Sequence, residues 1–281
     1  MPVTVTGLFV YPVKSTRGTA RVRARVSRTG FEWDRQWMVV NSKGTFLSQR
    51  THPQLARIVP EVRAADLVLN APGLAALTVP LDAAGERAPV RVWNDACIGV
   101  DQGEEAADWV TRAAGEPVRL VRVAPDMGRI ANPEFAGPAP APMGFADGYP
   151  FLVCNEASLE DLNGRSAAPL PMERFRPNIV LRGLPAWAED RIDMLTVGDV
   201  TLRFVKPCTR CTIPSIDQRT GEKSTDPTPA LRRFRFSKAL LGVMFGENAV
   251  IVAGLGAEIE CGAEGFAIFD PAPADARARR S

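Results

Sequence analysis

The strongest constraint on the fold is an alternation near the N-terminus. In TARVRARVS, Val22, Ala24 and Val26 alternate with Arg21, Arg23 and Arg25. A period of two puts apolar side chains on one face of a strand and cations on the other. Segments of similar length follow. DRQWMVVNSKGTFLSQR (34–50) reads as a strand, a turn at NSKG and a strand, and DLVLNAPGLAALTVP (66–80) repeats the pattern around APG. Short strands with turn signals at this spacing predict a barrel or a sandwich. In the second half, PFLVC and RPNIVLRG read as strands, MLTVGDVTLRFVKPC as a hairpin on Gly198-Asp199, and NAVIVAGLGAEIECG as another about Gly254-Leu255-Gly256. Helix signals are fewer. EEAADWVTRAA (104–114) has an acidic first turn, with Gly115 and Pro117 after it, and EASLEDLNGR (156–165) has Asn155 as N-cap. ALRRFRFSKALL (230–241) is also compatible with a helix. The expected class is mostly β with a few helices (α+β).

Between the halves lies APDMGRIANPEFAGPAPAPMGFADG (124–148), a Pro-, Gly- and Ala-rich stretch that is either a linker or a long functional loop. It suggests one unit over 1–124 and a second over 125–268, with 269–281 as a disordered tail. At 281 residues the chain is long enough for two cores. With 34 basic against 32 acidic residues the net charge is only +2, which argues against nucleic acid as the main partner. The first residues, MPVTVTGLFVYPVKS, lack the charged start and cleavage site of a secretion signal, and their apolar run is too short to span a bilayer. Five cysteines at irregular spacing are unlike a disulfide framework. A cytoplasmic protein with reduced thiols is expected, with no membrane partner.

The chemistry concentrates in KPCTRCTIPSID (206–217), where Cys208 and Cys211 stand between Lys206 and Arg210. A structural zinc needs four Cys or His ligands, and beyond this pair the chain has Cys97, Cys154, Cys261 and His52, all scattered. A thioredoxin-like dithiol wants a helix after the first cysteine, which Pro214 interrupts. Two buried cysteines ending a strand are a third reading. The fourth is one activated thiolate, acting as nucleophile or as ligand to a metal whose other ligands come from a cofactor. Such a cofactor would be anionic and need basic groups, for which Lys14 and Ser15, Arg35 and Arg176 are candidates at strand ends; an arginine or lysine there is otherwise a solvated charge. Asp95 is a candidate acid–base group or a turn residue, and His52 reads as a turn residue before Pro53.

YPVKS (11–15), DRQW (34–37), PFL followed by SLEDLN (150–163), FRPNI (175–179) and KPCTRC with Asp217 and Thr220-Gly221 occur in that order. Over about residues 1–265 this pattern resembles the MOSC superfamily in its two-part form, an N-terminal β-barrel domain followed by a MOSC β-barrel domain, and in particular bacterial relatives of the mitochondrial amidoxime-reducing component. The resemblance implies a molybdenum cofactor of the molybdopterin type, with Cys211 as the protein thiolate on the metal. It carries cofactor contacts to Lys14, Ser15, Arg35, Tyr149, Pro150, Arg176, Thr209, Arg210 and Asn248. Tyr149 and Thr209 stand where some relatives have serine, and Asn248 where some have tyrosine. The implied activity is reduction of N-hydroxylated compounds (amidoximes, hydroxylamines, N-hydroxylated bases), with Asp217 the first candidate proton donor. After Cys211 only Cys261 remains, so an iron–sulfur, flavin or haem electron donor would be a separate protein. The other readings are a cofactor carrier or sulfur-transfer protein using a persulfide on Cys211, and a non-catalytic barrel that binds an anionic metabolite.

Overall fold

The computed structural model describes residues 1–270; residues 271–281, most of the tail expected to be disordered, lie outside the described residues. Seven strands close a barrel. In spatial order they are Phe151–Asn155, Ile179–Arg182, Pro2–Val10, Glu264–Phe269, Ile192–Val197, Val200–Thr209 and Gly242–Ala253, the last pairing back to the first. The step from Phe151–Asn155 to Ile179–Arg182 is parallel, and its crossover contains the helix Glu156–Arg165. Val5, Leu181, Leu195, Leu202 and Ala267 fill the interior. In the first strand Val3 and Val5 face inward, then Leu8 and Val10. A register shift between Val5 and Gly7 supplies the extra residue that changes the parity.

The first strand of the chain is thus a stave of a barrel whose other six strands lie beyond residue 150. The remaining N-terminal residues form a four-stranded sheet (Trp37–Val40, Arg119–Val123, Asp95–Asp101, Arg87–Val92) and a three-stranded one (Val59–Val62, Asp66–Asn70, Leu77–Pro80). The helix Glu104–Ala114 seals their core: Ala106, Trp109, Val110 and Ala114 recur at helical spacing and pack with Trp37, Leu55 and Leu67. Asn155 caps the helix Glu156–Arg165, as its position predicts.

Three local expectations are corrected. The alternation at 21–26 breaks at Val22, which is 76% exposed. Thr19–Arg21 pairs with the first strand while Arg23–Ser27 pairs with Glu258–Glu260, so one sequence run serves two sheets. For the same reason NAVIVAGLGAEIECG is not a hairpin. Gly242–Ala253 pairs with Val200–Thr209, and the chain after Gly254 (φ 91°) leaves for Arg23–Ser27. A Cβ at residue 254 would stand 2.6 Å from Asp199 O, so only glycine fits this crossing. Of ALRRFRFSKALL only the first three residues are helical, as the end of the helix Thr228–Arg232. Arg235 forks onto both oxygens of Asp190, and Phe236–Ser237 pairs with Gly242–Val243; these tertiary contacts override helix propensity.

Behind the helix cap lies a buried acid. Glu189 Oε2 accepts from Ser158 Oγ (2.7 Å) and Asn155 Nδ2 (3.1 Å). Burial pushes this carboxyl from 4.5 up to about 7. Between those values the folded chain holds a proton that the unfolded chain has released, so this group makes stability fall as pH rises through that window. Glu189→Gln keeps the acceptor and removes the titration. Unfolding free energies from urea titrations at about pH 5 and about pH 8 should converge in the variant, relative to wild type, by up to roughly 3 kcal/mol. Parallel pH profiles of the two proteins would refute this assignment.

Candidate functional site

A cleft of about 160 Å3 opens where the barrel meets the N-terminal unit. It collects nearly every residue singled out from the sequence: Lys14, Ser15 and Arg35 from the N-terminal side, Tyr149 and Arg176 from the middle, and Thr209, Arg210, Cys211 and Asn248 from the barrel. Of the residues the resemblance assigned, two do not join them. Pro150 lines a separate apolar depression with Ile251 and Val252. Asp217 is not among the lining residues. Its Oδ1 accepts from the backbone N–H of Arg219 (2.8 Å) and Thr220 (3.1 Å), and its Oδ2 pairs with Arg174 (3.2 Å). The turn amides first, and Arg174 with them, hold its carboxyl below the usual range, a poor state for a proton donor near neutrality.

The cleft stores backbone strain. Ser15, Arg35 and Arg176 all lie in the left-handed region, with φ of 66°, 49° and 57°. Non-glycine residues there cost about 1–3 kcal/mol each and persist only where surrounding contacts over-determine them. Those contacts are visible. Ser15 O accepts from Gln49 Nε2 (2.8 Å), Arg35 N donates to Tyr11 O (2.8 Å), and Arg176 Nη1 donates to Thr16 O (2.6 Å). The guanidinium groups of Arg35 and Arg176 both lie against the Tyr11 ring, 4.2 and 4.3 Å from its centroid. Asp34 pairs with Arg35 and accepts from Tyr11 N (2.8 Å), while Asn178 Oδ1 accepts from Leu152 N (3.1 Å) and Arg35 Nη1 (3.2 Å).

Positive charge dominates the lining. Lys14, Arg176 and Arg210 are buried or partly buried cations, with Arg35 beside them, and Asp147 is the lining carboxylate. Burial pulls the Arg176 guanidinium down to about 10, so it stays charged at neutral pH. Burial also lowers the Lys14 ammonium, against the opposing pull of Asp147. Asp147, exposed at the rim, accepts from Lys14 Nζ (2.5 Å) and Trp93 Nε1 (3.0 Å). Its desolvation would raise its carboxyl, and Lys14 outweighs that, holding it below the usual range.

At the barrel side Arg210 N donates to Val243 O (2.8 Å), Nη2 to Phe175 O (2.6 Å) and Nη1 to Cys208 Sγ (3.1 Å). Cys211 follows it, exposed, its sulfur accepting from Ile213 N at 3.5 Å. Among the described residues no three His, Cys, Asp or Glu stand together as a metal cage. The donor set is one accessible thiol beside several cations, which suits an anionic ligand carrying a thiophilic centre.

Sequence reasoning missed the support of this site. Asn178 and Asp34 sit inside the FRPNI and DRQW motifs beside residues that were chosen, so position in the motif was the available signal. Arg129 had none. Buried in the long segment 124–148, it donates to the carbonyls of Gly144, Ala146 and Asp147 and pairs with Asp95 at 2.7 Å. The segment is therefore an ordered strap forming one wall of the cleft, and Asp95 anchors it. His52 lies apart, pairing with Glu116 at 3.1 Å. A larger open depression of about 750 Å3, lined by Arg91, Asp95 and Arg129, lacks the accessible thiol.

Two outcomes follow from this geometry. Iodoacetamide should label Cys211 well before Cys97 and Cys154, which are 6% and 0% exposed; peptide mass mapping of a time course would detect the reverse order. Inorganic pyrophosphate should bind the wild type, and Arg176→Met should weaken that binding at least about tenfold, roughly 1.4 kcal/mol, by titration calorimetry. Equal affinities would remove Arg176 from the anion site.

Comparison with known proteins gives the chain's family. Residues 2–117 match the MOSC N-terminal beta barrel domain and residues 140–264 the MOSC domain. The chain is 35% identical to human mitochondrial amidoxime-reducing component 1 over 83% of its own length and 72% of that protein. It is 32% identical to the molybdenum cofactor sulfurase of Danio rerio over 88% of its length, and spans about a third (32%) of that longer protein. A solution structure of a Bordetella bronchiseptica protein is 33% identical, covering 38% of this chain and 92% of that one, with a TM-score of 0.32. The chain belongs to the MOSC family, with the N-terminal β-barrel domain and the MOSC domain in tandem.

Proposed function

We propose that this chain is a molybdenum-cofactor-dependent oxidoreductase that reduces N-hydroxylated compounds. The observation that carries the proposal is the accessible thiol of Cys211 at a cleft lined by Lys14, Arg35, Arg176 and Arg210. Relatives named for amidoxime reduction and for the molybdenum cofactor support it.

In this reading Cys211 is the protein ligand to molybdenum. Lys14, Ser15, Arg35 and Arg176 hold the phosphate-bearing end, where pre-formed cations and fixed backbone minimise the ordering cost of binding. Tyr149, Thr209, Arg210 and Asn248 bound the rest of the ligand. Arg210, partly buried between Phe175 O and Cys208 Sγ, places a positive charge next to Cys211 in the chain. When bound, the cofactor supplies the two-electron redox chemistry. Overall, the substrate's N–O bond breaks and the oxygen leaves as water, consuming two protons and two electrons from a separate iron–sulfur, flavin or haem protein. Asp147, hydrogen-bonded to Lys14 and Trp93 at the rim, orders that side of the cleft, but its carboxyl too lies below the usual range, so the protons come from solvent.

An exposed Cys211 also suits a carrier or sulfur-transfer protein that forms a persulfide there. One experiment separates the readings. Wild type and Cys211→Ala are purified from a host that makes the cofactor, then assayed for molybdenum, released pterin and amidoxime reduction. The enzyme reading expects near-stoichiometric molybdenum and pterin in wild type, turnover with a viologen reductant, and loss of molybdenum and of at least 99% of turnover in Cys211→Ala, the scale of about 10²-fold or more expected when a group central to the site is removed. A persulfide on Cys211 with labile cofactor and no turnover would establish the carrier instead.

A further inference from the structure

The β-hairpin built from Phe236–Ser237 and the start of Gly242–Ala253 was not part of the site, yet it is bonded to it. Arg210 N donates to Val243 O (2.8 Å), Thr209 is in register with Met244, and a Cβ on Gly242 would stand 3.3 Å from the Thr209 side chain. The hairpin is therefore a shelf directly beside Cys211, which is itself exposed.

Three features of the shelf bear on what it can do. First, Leu241 at its tip is 84% exposed and holds a left-handed backbone, φ 51°; a bulky residue in that region and in water stabilises nothing in the isolated fold. Phe236, 41% exposed, is also on the shelf, with the Arg232 guanidinium over its ring at 5.5 Å. Second, the stretch TPALRRFRFSKALLG (228–242) carries four cations and no carboxylate. Of these only Arg235 is engaged in an ion pair, with Asp190; Arg232, Arg233 and Lys238 are exposed and form no ion pair among the described residues. The whole chain has a net charge of only +2, so three unpaired cations here are a local concentration. The exposed acids on the adjoining loop are Glu222 and Asp226. Asp226 caps Thr228 N, and Lys223 lies between the two. Third, aromatic contacts pin the shelf to the body of the fold. Phe234 packs on Trp187 with centroids 5.3 Å apart, and Arg235 lies over the same indole.

We propose that this hairpin is the docking surface for an acidic electron-transfer protein, with Arg232, Arg233 and Lys238 as the charged rim and Leu241 and Phe236 as the apolar centre. The proposal rests on the redox reading of Cys211. Exposed apolar side chains flanked by charges of one sign suit a transient redox encounter, where electrostatics sets the approach and a small contact allows rapid release. Two donor molecules, each giving up one electron here, would supply the two electrons of the reaction, the protons coming from solvent.

The test uses cofactor-loaded wild type, the charge-reversed R232E/R233E/K238E variant and Leu241→Asp, with an acidic plant-type two-iron ferredoxin as probe. Each is assayed for ferredoxin binding by calorimetry and for amidoxime reduction with ferredoxin or with reduced methyl viologen. Expected are wild-type binding that weakens steeply with salt, a loss of at least tenfold in ferredoxin affinity and ferredoxin-driven kcat/KM in both variants, and unchanged viologen-driven turnover. Viologen turnover in all three proteins with ferredoxin binding absent, salt-insensitive or equal in the variants overturns the docking surface but not the redox reading. No viologen turnover in wild type sinks the redox reading, and binding then still decides whether the shelf recognises an acidic protein. Charge-dependent binding to phosphatidylglycerol vesicles without ferredoxin binding would assign the shelf to a membrane and overturn the proposal.

Discussion

Cations held out of water without an equal count of anions are the condition around which this molecule is arranged. A buried charge is expensive unless paired, and the cleft sets Lys14, Arg35, Arg176 and Arg210 against Asp34 and Asp147. The Tyr11 ring eases the proximity of two of them: Arg35 and Arg176 share its π cloud, and its hydroxyl donates to Pro177 O at 2.9 Å. The arrangement is set up before any ligand arrives. An anion entering finds donors already oriented, so little of its binding free energy is spent on ordering them.

The two halves of the chain are committed to each other by the same contacts. Ser15 and Gln49 come from the N-terminal side, Gln218 and Arg176 from the other. Gln49 and Gln218 exchange a reciprocal pair of amide hydrogen bonds, 3.0 and 2.9 Å, beneath the strained Ser15 and Arg176. Arg17 adds a bond to Gln218 O at 2.7 Å. The cleft is a product of the interface, and a shift between the halves would alter its charge geometry before it altered either core.

Much of this was legible in the sequence, and the limits are instructive. Strands with a local partner, such as the hairpin on Gly198-Asp199, follow from alternation and turn chemistry alone. The partners of Arg23–Ser27 and Glu258–Glu260 are more than 230 residues apart, and no local pattern encodes such a pairing. In the site, motif residues that touch the cleft were readable because charge and thiol chemistry are properties of single side chains. Arg129 was not, because its role is to collect three backbone carbonyls that come together only in the folded strap. Asp217 misled for the opposite reason. Its motif position suggested chemistry, while its oxygens serve the turn that carries the motif.

The placement of Pro2–Val10 as a stave between Ile179–Arg182 and Glu264–Phe269 has a consequence for biogenesis. During synthesis the first strand to leave the ribosome finds one of its barrel neighbours only after residue 179 has emerged, and the other only after residue 264. At roughly 5–20 residues per second that wait is on the order of tens of seconds. Throughout it Thr19–Arg21 can pair with Leu8–Val10, but the rest of the strand, with Val3 and Val5, keeps open edges and an uncovered apolar face. The barrel is the last part of the molecule able to close, and the Cys211 side of the cleft takes shape only with that closure. A nascent chain released early would therefore hold much of the N-terminal core while presenting no formed anion site, a built-in delay between having a folded half and being able to take up a ligand.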